Sequence, residues 1–272
     1  MQMISINGVT LETRAIAPPA GAAPVAPLVF LHEGLGSVAM WRDWPDALCA
    51  VTGRSGLVIS RQGYGRSDPV PDVRGEPAEK GGQRSGRLLP DYMHREAWVV
   101  LPALLVQLGI ERPVLVGHSD GGSIALLYTS RFPVAACIVM APHVMVEDIS
   151  VTAIAQARHA YLHGDLRARL ARFHADVDSA FWQWNDAWLS DAFRNFDIRE
   201  DCRCITAPLL AIQGMDDPYG TMDQIDEIAV GAPQTQLLKL SDCGHSAHRD
   251  QPAAVEAAIV AFLAGAADAG DG

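Results

Sequence analysis

Residues 114–124 read Val-Leu-Val-Gly-His-Ser-Asp-Gly-Gly-Ser-Ile. A β-branched apolar run enters Gly117-His118-Ser119-Asp120-Gly121, and apolar residues at helical spacing follow over 124–132. Strand, tight turn, helix is the setting in which G-x-S-x-G presents a nucleophilic serine. The spacing has a physical reason. Ser119 must sit on a turn sharp enough to lift Oγ above the sheet, and a Cβ at Gly117 or Gly121 would crowd the strand and helix that meet there. The turn also opens a helix, so free N–H groups and a positive dipole end lie beside the serine, where a developing oxyanion needs them.

The rest of the chain bounds what surrounds that turn. At 272 residues with 49% hydrophobic content, it fits one large α/β domain or a core with an insertion. A formal net charge of -11 argues against nucleic acid or an anionic membrane as partner. The two lysines, Lys80 in a Gly-rich loop and Lys239 in a late strand pattern, offer no Schiff-base site. The five cysteines (Cys49, Cys137, Cys202, Cys204, Cys243) are odd in number and scattered, which fits reduced thiols rather than a disulfide framework. Cys202-x-Cys204 has no second pair to complete a zinc site. The N-terminus reads as a strand rather than a signal region, and no apolar run reaches membrane length, so a cytoplasmic protein without cofactor or metal is the expectation.

Working outward, residues 3–6 and 9–16 flank Asn7-Gly8, a hairpin signal. Short apolar runs at 27–32 and 57–60 read as buried strands, the second followed by Arg61-Gln-Gly-Tyr-Gly-Arg-Ser67. The Gly-, Pro- and charge-rich stretch 75–86 reads as a mobile surface insertion. Residues 92–109 carry a helical pattern ending at Gly109, and 135–141, 208–213 and 236–240 return to strand. A closing helix is expected over 253–263, and a disordered acidic tail over 265–272. Alternating strands and helices imply an α/β fold with a mainly parallel sheet covered on both faces. Residues 143–206 are too many for a crossover and look helical, so they are expected to cap a core formed by 1–142 and 207–272.

Three pieces of the chain together resemble the α/β-hydrolase superfamily: the Ser119 turn, Pro-Leu-Leu-Ala-Ile-Gln-Gly-Met-Asp-Asp over 208–217, and Gly-His-Ser-Ala-His-Arg-Asp-Gln-Pro over 244–252. The likeness covers nearly the whole chain and implies a mostly parallel eight-stranded sheet. The second piece looks like the family's strand ending in Gly-x-x-Asp, and the third like its Gly-His segment, so the resemblance implies Asp217 as acid and His245 as base, in the chain order that fold uses. His245 would take the Ser119 proton, and Asp217 would fix the imidazole tautomer. Asp216 competes with Asp217, and Glu147 or Asp148 would serve a variant geometry. His248 reads as a surface residue at a helix start, and His32 and His94 as scaffold histidines.

The loop His32-Glu-Gly-Leu-Gly-Ser37 resembles the family's His-Gly-Gly-x-Gly loop, which implies the Gly34 and Asp120 N–H groups as an oxyanion hole. Glu33 stands where a glycine is usual. It is either a surface carboxylate or a pocket group facing Arg61, Arg66 or substrate. Two acids, Glu33 and Asp120, near the serine would repel anions unless arginines compensate them, and would favour cationic substrates. His143, just past a strand end, is a pocket candidate. Phe181, Trp184 and Trp188 share one helix face, either packing the cap or walling the pocket, while Trp182 points elsewhere. Tyr64, Trp41 and Trp44 come from loops at the same edge and are further wall candidates.

The expected function is hydrolysis of a small carboxylic ester, lactone or thioester through an acyl-enzyme on Ser119. A carbon–carbon bond hydrolase with the same three residues and a ligand sensor on a hydrolase fold remain open. The partner is a small-molecule substrate, and a homodimer is compatible with the sequence.

Overall fold

A computed structural model describes residues 1–80 and 83–268. Its main sheet has eight strands: β1 (Gln2–Ile6), β2 (Val9–Ile16), β3 (Leu28–Leu31), β4 (Gly56–Ile59), β7 (Val114–His118), β8 (Ala136–Met140), β9 (Leu209–Gly214) and β10 (Gln236–Leu240). They lie in the order β1-β2-β4-β3-β7-β8-β9-β10. β1 and β2 pair antiparallel, as do β2 and β4, and every other pairing is parallel. The antiparallel edge exists because Asn7 (φ 50°) and Gly8 (φ 78°) both take left-handed backbone, which closes a two-residue hairpin.

β3, β7 and β8 are buried along their whole length, as a sheet covered on both faces requires. One core layer packs Phe30, Trp41, Trp44 and Leu48 with Val255, Ile259 and Phe262, under α1 (Trp44–Thr52) and α11 (Pro252–Asp268). The other gathers α2 (Tyr92–Arg95), α3 (Leu101–Gln107) and α4 (Asp120–Thr129). α4 is buried on every side.

The expected single helix over 92–109 is interrupted. A π-turn at Glu96–Val100 separates α2 from α3, and the Leu101 N–H bonds to the Glu96 carbonyl five residues back. Pro102 follows at once and has no N–H to continue a regular ladder.

Between β8 and β9 lie α5 (Asp148–His163), α6 (Leu166–Leu170), α7 (Val177–Trp188) and α8 (Arg199–Cys202). These fill the stretch 143–206 with helix, and α5 and α7 each send side chains to the cavity that holds Ser119. After β9 come α9 (Asp223–Gly231) and, beyond β10, α10 (Ala247–Asp250).

Two expectations need correction. The stretch 75–86 holds an antiparallel ribbon, β5 (Ala78–Lys80) against β6 (Gln83–Ser85), and Arg84 donates to the Gln183 side chain in α7. Its composition hid the ribbon, which is tied down by a contact distant in sequence; residues 81–82 lie outside the described residues. The closing helix runs to Asp268, through the first half of the stretch expected as tail, because Ala-rich sequence favours helix. Residues 269–272 lie outside the described residues. Among the described residues, no helix is long and apolar enough to cross a membrane.

Candidate active site

β7 ends at His118, and Ser119 takes φ 53° and ψ -121°, a conformation few non-glycine residues adopt. The surroundings hold it there. Its N–H donates to the Met140 carbonyl at 2.9 Å, and its carbonyl accepts from Gly122 N–H at 2.8 Å and Ser123 N–H at 3.0 Å. A Cβ on Gly121 would fall 2.0 Å from the Leu31 carbonyl oxygen, and one on Gly117 would fall 2.2 Å from the Gly121 carbonyl oxygen. Both glycines are therefore demanded by backbone contact.

Asp217 sits on the turn after β9. The turn is anchored by Met215 N–H to Leu240 carbonyl and Asp216 N–H to Cys243 carbonyl. His245 lies in the loop after β10, and its Nδ1 is 2.9 Å from both Asp217 carboxylate oxygens. Tyr219 N–H also donates to Asp217 Oδ1, at 2.8 Å. Burial alone would raise the Asp217 carboxyl, but the hydrogen bond from His245 holds it below its usual range.

The alternative acids are engaged elsewhere. Asp216 is exposed, Glu147 accepts from Thr221 and Gln224, and Asp148 pairs with Arg194. His118 Nε2 donates to the His245 carbonyl at 2.8 Å, which ties the end of β7 to the His245 loop.

One cavity of about 220 Å³ is lined by Ser119, Asp120, His143, Tyr219 and His245, together with Glu33, Gly34, Ile154, Trp184 and Trp188. His143 is buried against Trp188, with ring centres 4.8 Å apart; burial pushes its pKa down to about 3, so it faces the cavity neutral. Gly34 touches Trp184 so closely that a Cβ there would fall 2.1 Å from the indole nitrogen. Asp120 supplies the first N–H of α4, one of the groups an α-helix leaves without an internal partner.

The Asp120 carboxylate is turned into the protein. It accepts from Tyr92 Oη at 2.6 Å and from Trp188 Nε1 at 3.2 Å, and it lies 3.6 Å from Arg61 Nη1. Burial raises its carboxyl, against the pull of Arg61. Glu33 faces neither Arg61 nor Arg66 with its carboxylate. That group lies 3.4 Å from Arg249 Nη2 and 3.6 Å from His118 Nδ1. Burial would raise it, and His118 and Arg249 hold it well below the usual range. Both acids are thus compensated within the protein, and the bias toward cationic substrates read from their proximity loses its basis.

Several wall candidates sit elsewhere. Tyr64 is buried between His32 and His174, with Arg61 over its ring at 4.8 Å, and does not line the cavity. Trp41 and Trp44 stack on each other in the opposite core layer. His248 is not a surface residue: it packs on both of those indoles and on His118, and burial pushes its pKa down to about 2. Trp182 lies between Arg74 and Arg158 at the surface of α7. Phe181 stacks on Tyr161, packing α7 onto α5. Tyr219, whose ring centre is 4.6 Å from that of His245, was missed, although Asp217-Pro-Tyr219 placed it two residues past the expected acid. Leu35, Ile154 and Ser246 are further wall residues that periodicity did not mark. Among the described residues, no group of three or more His, Cys, Asp or Glu side chains is arranged to hold a metal ion.

A family model described as the alpha/beta hydrolase family matches residues 28–258. The chain belongs to the alpha/beta hydrolase family. It is 28% identical over 262 residues to the carbamate hydrolase candidate RutD of Pseudomonas savastanoi pv. phaseolicola, covering 88% of this chain and 94% of that one. It is 24% identical to the sn-1-specific diacylglycerol lipase ABHD11 of Mus musculus, covering 90% of this chain and 83% of the relative. Among solved structures, the enol-lactonase of Burkholderia xenovorans LB400 superposes with a TM-score of 0.71 at 20% identity, over 97% of this chain and 100% of the other. At that identity the likeness speaks to the fold, and the fold is that of a hydrolase with a mostly parallel eight-stranded sheet.

Proposed function

We propose that this hydrolase cleaves a small carboxylic ester, lactone or thioester through an acyl-enzyme on Ser119. The observation that carries the reading is the 2.9 Å approach of His245 Nδ1 to both Asp217 oxygens, with His245 and the strained Ser119 opening on one cavity. Nδ1 then carries a proton toward Asp217, which leaves the Nε2 lone pair free to take the serine proton.

Ser119 Oγ attacks the substrate carbonyl carbon while its proton passes to His245. The carbonyl electron pair moves onto oxygen, which the Gly34 and Asp120 N–H groups receive. The pair returns, the bond to the leaving group breaks, and His245 gives that group its proton. Water repeats the sequence on the acyl-enzyme and releases the acid. A cavity of about 220 Å³ walled by Leu35, Ile154, Trp184 and Trp188 favours a compact apolar acyl or aryl group. Residues 143–206 act as its cap. The RutD candidate, the lipase and the enol-lactonase are named for reactions at acyl carbonyl groups, which supports the same chemistry here. Five free thiols suit a reducing cytoplasm.

A panel of aryl esters, lactones, acyl thioesters and vinylogous diketones tests the reading. Turnover of short-chain esters or lactones, abolished by Ser119→Ala, is the expected result. Turnover confined to the diketones would move the protein to carbon–carbon bond hydrolysis, and binding without turnover of any class would make it a sensor.

A further inference from the structure

Arg61 follows the end of β4 and is buried, yet its guanidinium touches two separate loops. Nη2 donates to the Glu33 carbonyl at 3.1 Å, and Nη1 lies 3.6 Å from Asp120 Oδ2. These two loops bear Gly34 and Asp120, the two N–H groups assigned to the oxyanion. We infer that Arg61 is a positioning residue that aims the Gly34 N–H at the reacting carbonyl oxygen and braces it against the Ser119 turn. The inference rests on the serine hydrolase reading above.

The geometry of one peptide plane carries the argument. The Glu33 C=O and the Gly34 N–H belong to the same trans, planar unit and point in opposite directions. Whatever holds the carbonyl therefore aims the N–H. The carbonyl accepts from three groups. Gly36 N–H closes the loop's own turn on it at 3.0 Å. His32 Nε2 accepts the Arg61 backbone N–H at 3.2 Å, so the His32 proton sits on Nδ1, which donates to the Glu33 carbonyl at 2.6 Å. Arg61 Nη2 supplies the third donor, the one that also faces Asp120. Donors on a carbonyl also polarise its amide, which strengthens the N–H on the far side. That side meets the cavity, where Gly34 is in contact with Trp184. Arg61 meanwhile faces Asp120 beside the serine, so one planar cation fixes the spacing between the loops. A lysine ammonium has the charge but not the fork that reaches both.

The test compares Arg61→Met and Arg61→Lys with wild type for kcat, KM and two inhibitor affinities on an activated aryl ester. One inhibitor is a trifluoromethyl ketone, which forms a tetrahedral adduct whose oxyanion needs the donors; the other is the product carboxylate, which forms no such adduct. For Arg61→Met we expect kcat to fall on the order of 10- to 100-fold, short of the ~10²–10³ loss for deleting a donor outright, with KM within about threefold. The ketone should weaken in proportion to kcat/KM while the carboxylate holds. The acid limb of the pH profile should stay in place, because His245 and Asp217 are untouched. Arg61→Lys should recover stability more than kcat. If Arg61→Met alone does not fold, Arg61→Met/Asp120→Asn, which leaves no lone buried charge, replaces it with the same expectations. A kcat within twofold of wild type, or equal weakening of both inhibitors, would overturn the role of Arg61 while Ser119→Ala is still dead. Full turnover by Ser119→Ala would overturn this inference and the serine reading together.

Discussion

The Trp188 indole N–H lies 3.2 Å from the Asp120 carboxylate, so the residue after the serine is bonded to a wall of the cavity 68 positions away in sequence. Arg61, Tyr92 and Trp188 converge on that one buried acid. The turn, the π-bulged helix pair and α7 are thereby locked as one unit.

Removing the acid leaves Arg61 buried without its ion partner. Asp120→Ala should cost about 3–5 kcal/mol, the range for breaking one side of a buried pair. Urea unfolding of the variant against wild type reads it. A loss under 1 kcal/mol would mean that Arg61 finds water or another acceptor.

The backbone fit around the serine predicts a sharper steric result. A Cβ at Gly121 would fall 2.0 Å from a main-chain oxygen, with no flexible side chain to yield. Gly121→Ala should therefore lose about 3 kcal/mol or more, at the top of the overpacking range, and activity with it. Wild-type melting of that variant would contradict the described packing.

Two buried histidines set an acid limb of stability. His143 and His248 have folded pKa values pushed down by burial to about 3 and about 2, whereas the unfolded chain titrates near 6.5. Below about pH 6.5 the unfolded state binds protons that the native state refuses, so stability is full above that pH and falls as pH drops toward the folded values. His248→Phe keeps the contact with Trp41 and Trp44 and removes one such group. Between pH 6.5 and 5 it should lose about 2 kcal/mol less than wild type, from roughly 1.4 kcal/mol per pH unit. Identical pH dependence in the two proteins would show that His248 is charged or solvated in the folded state.

Trp184 lines the cavity and presses on Gly34. Trp184→Ala should shift the ester preference toward longer or bulkier acyl groups, by at least about tenfold in relative kcat/KM, since one methylene of fit is worth about 1–3 kcal/mol. An unchanged acyl profile would place the acyl group elsewhere.

The fold and the convergence of Ser119, Asp217 and His245 could be read from the chain because each rests on local chemistry: a glycine-flanked turn, a strand end, a Gly-His loop. What failed in the sequence reading depended on contacts across the fold. Tyr64 and Tyr219 both follow strand ends, but Tyr64 is drawn inward by His32, His174 and Arg61, while Tyr219 swings over His245. The face of a four-residue helix such as α10 cannot be told from periodicity, so His248 read as surface. Whether arginines compensate Glu33 and Asp120 stayed open in the sequence, because Arg249 and Arg61, their partners, are far away along the chain.

The central claim is that Ser119 is the nucleophile. The most direct measurement is reaction with a fluorophosphonate, followed by peptide mass mapping in wild type and His245→Ala. The account predicts one adduct, on Ser119, formed rapidly in wild type and at least about a thousandfold slower without the base. An adduct on another residue, or ester turnover by a protein that the probe never labels, would contradict it.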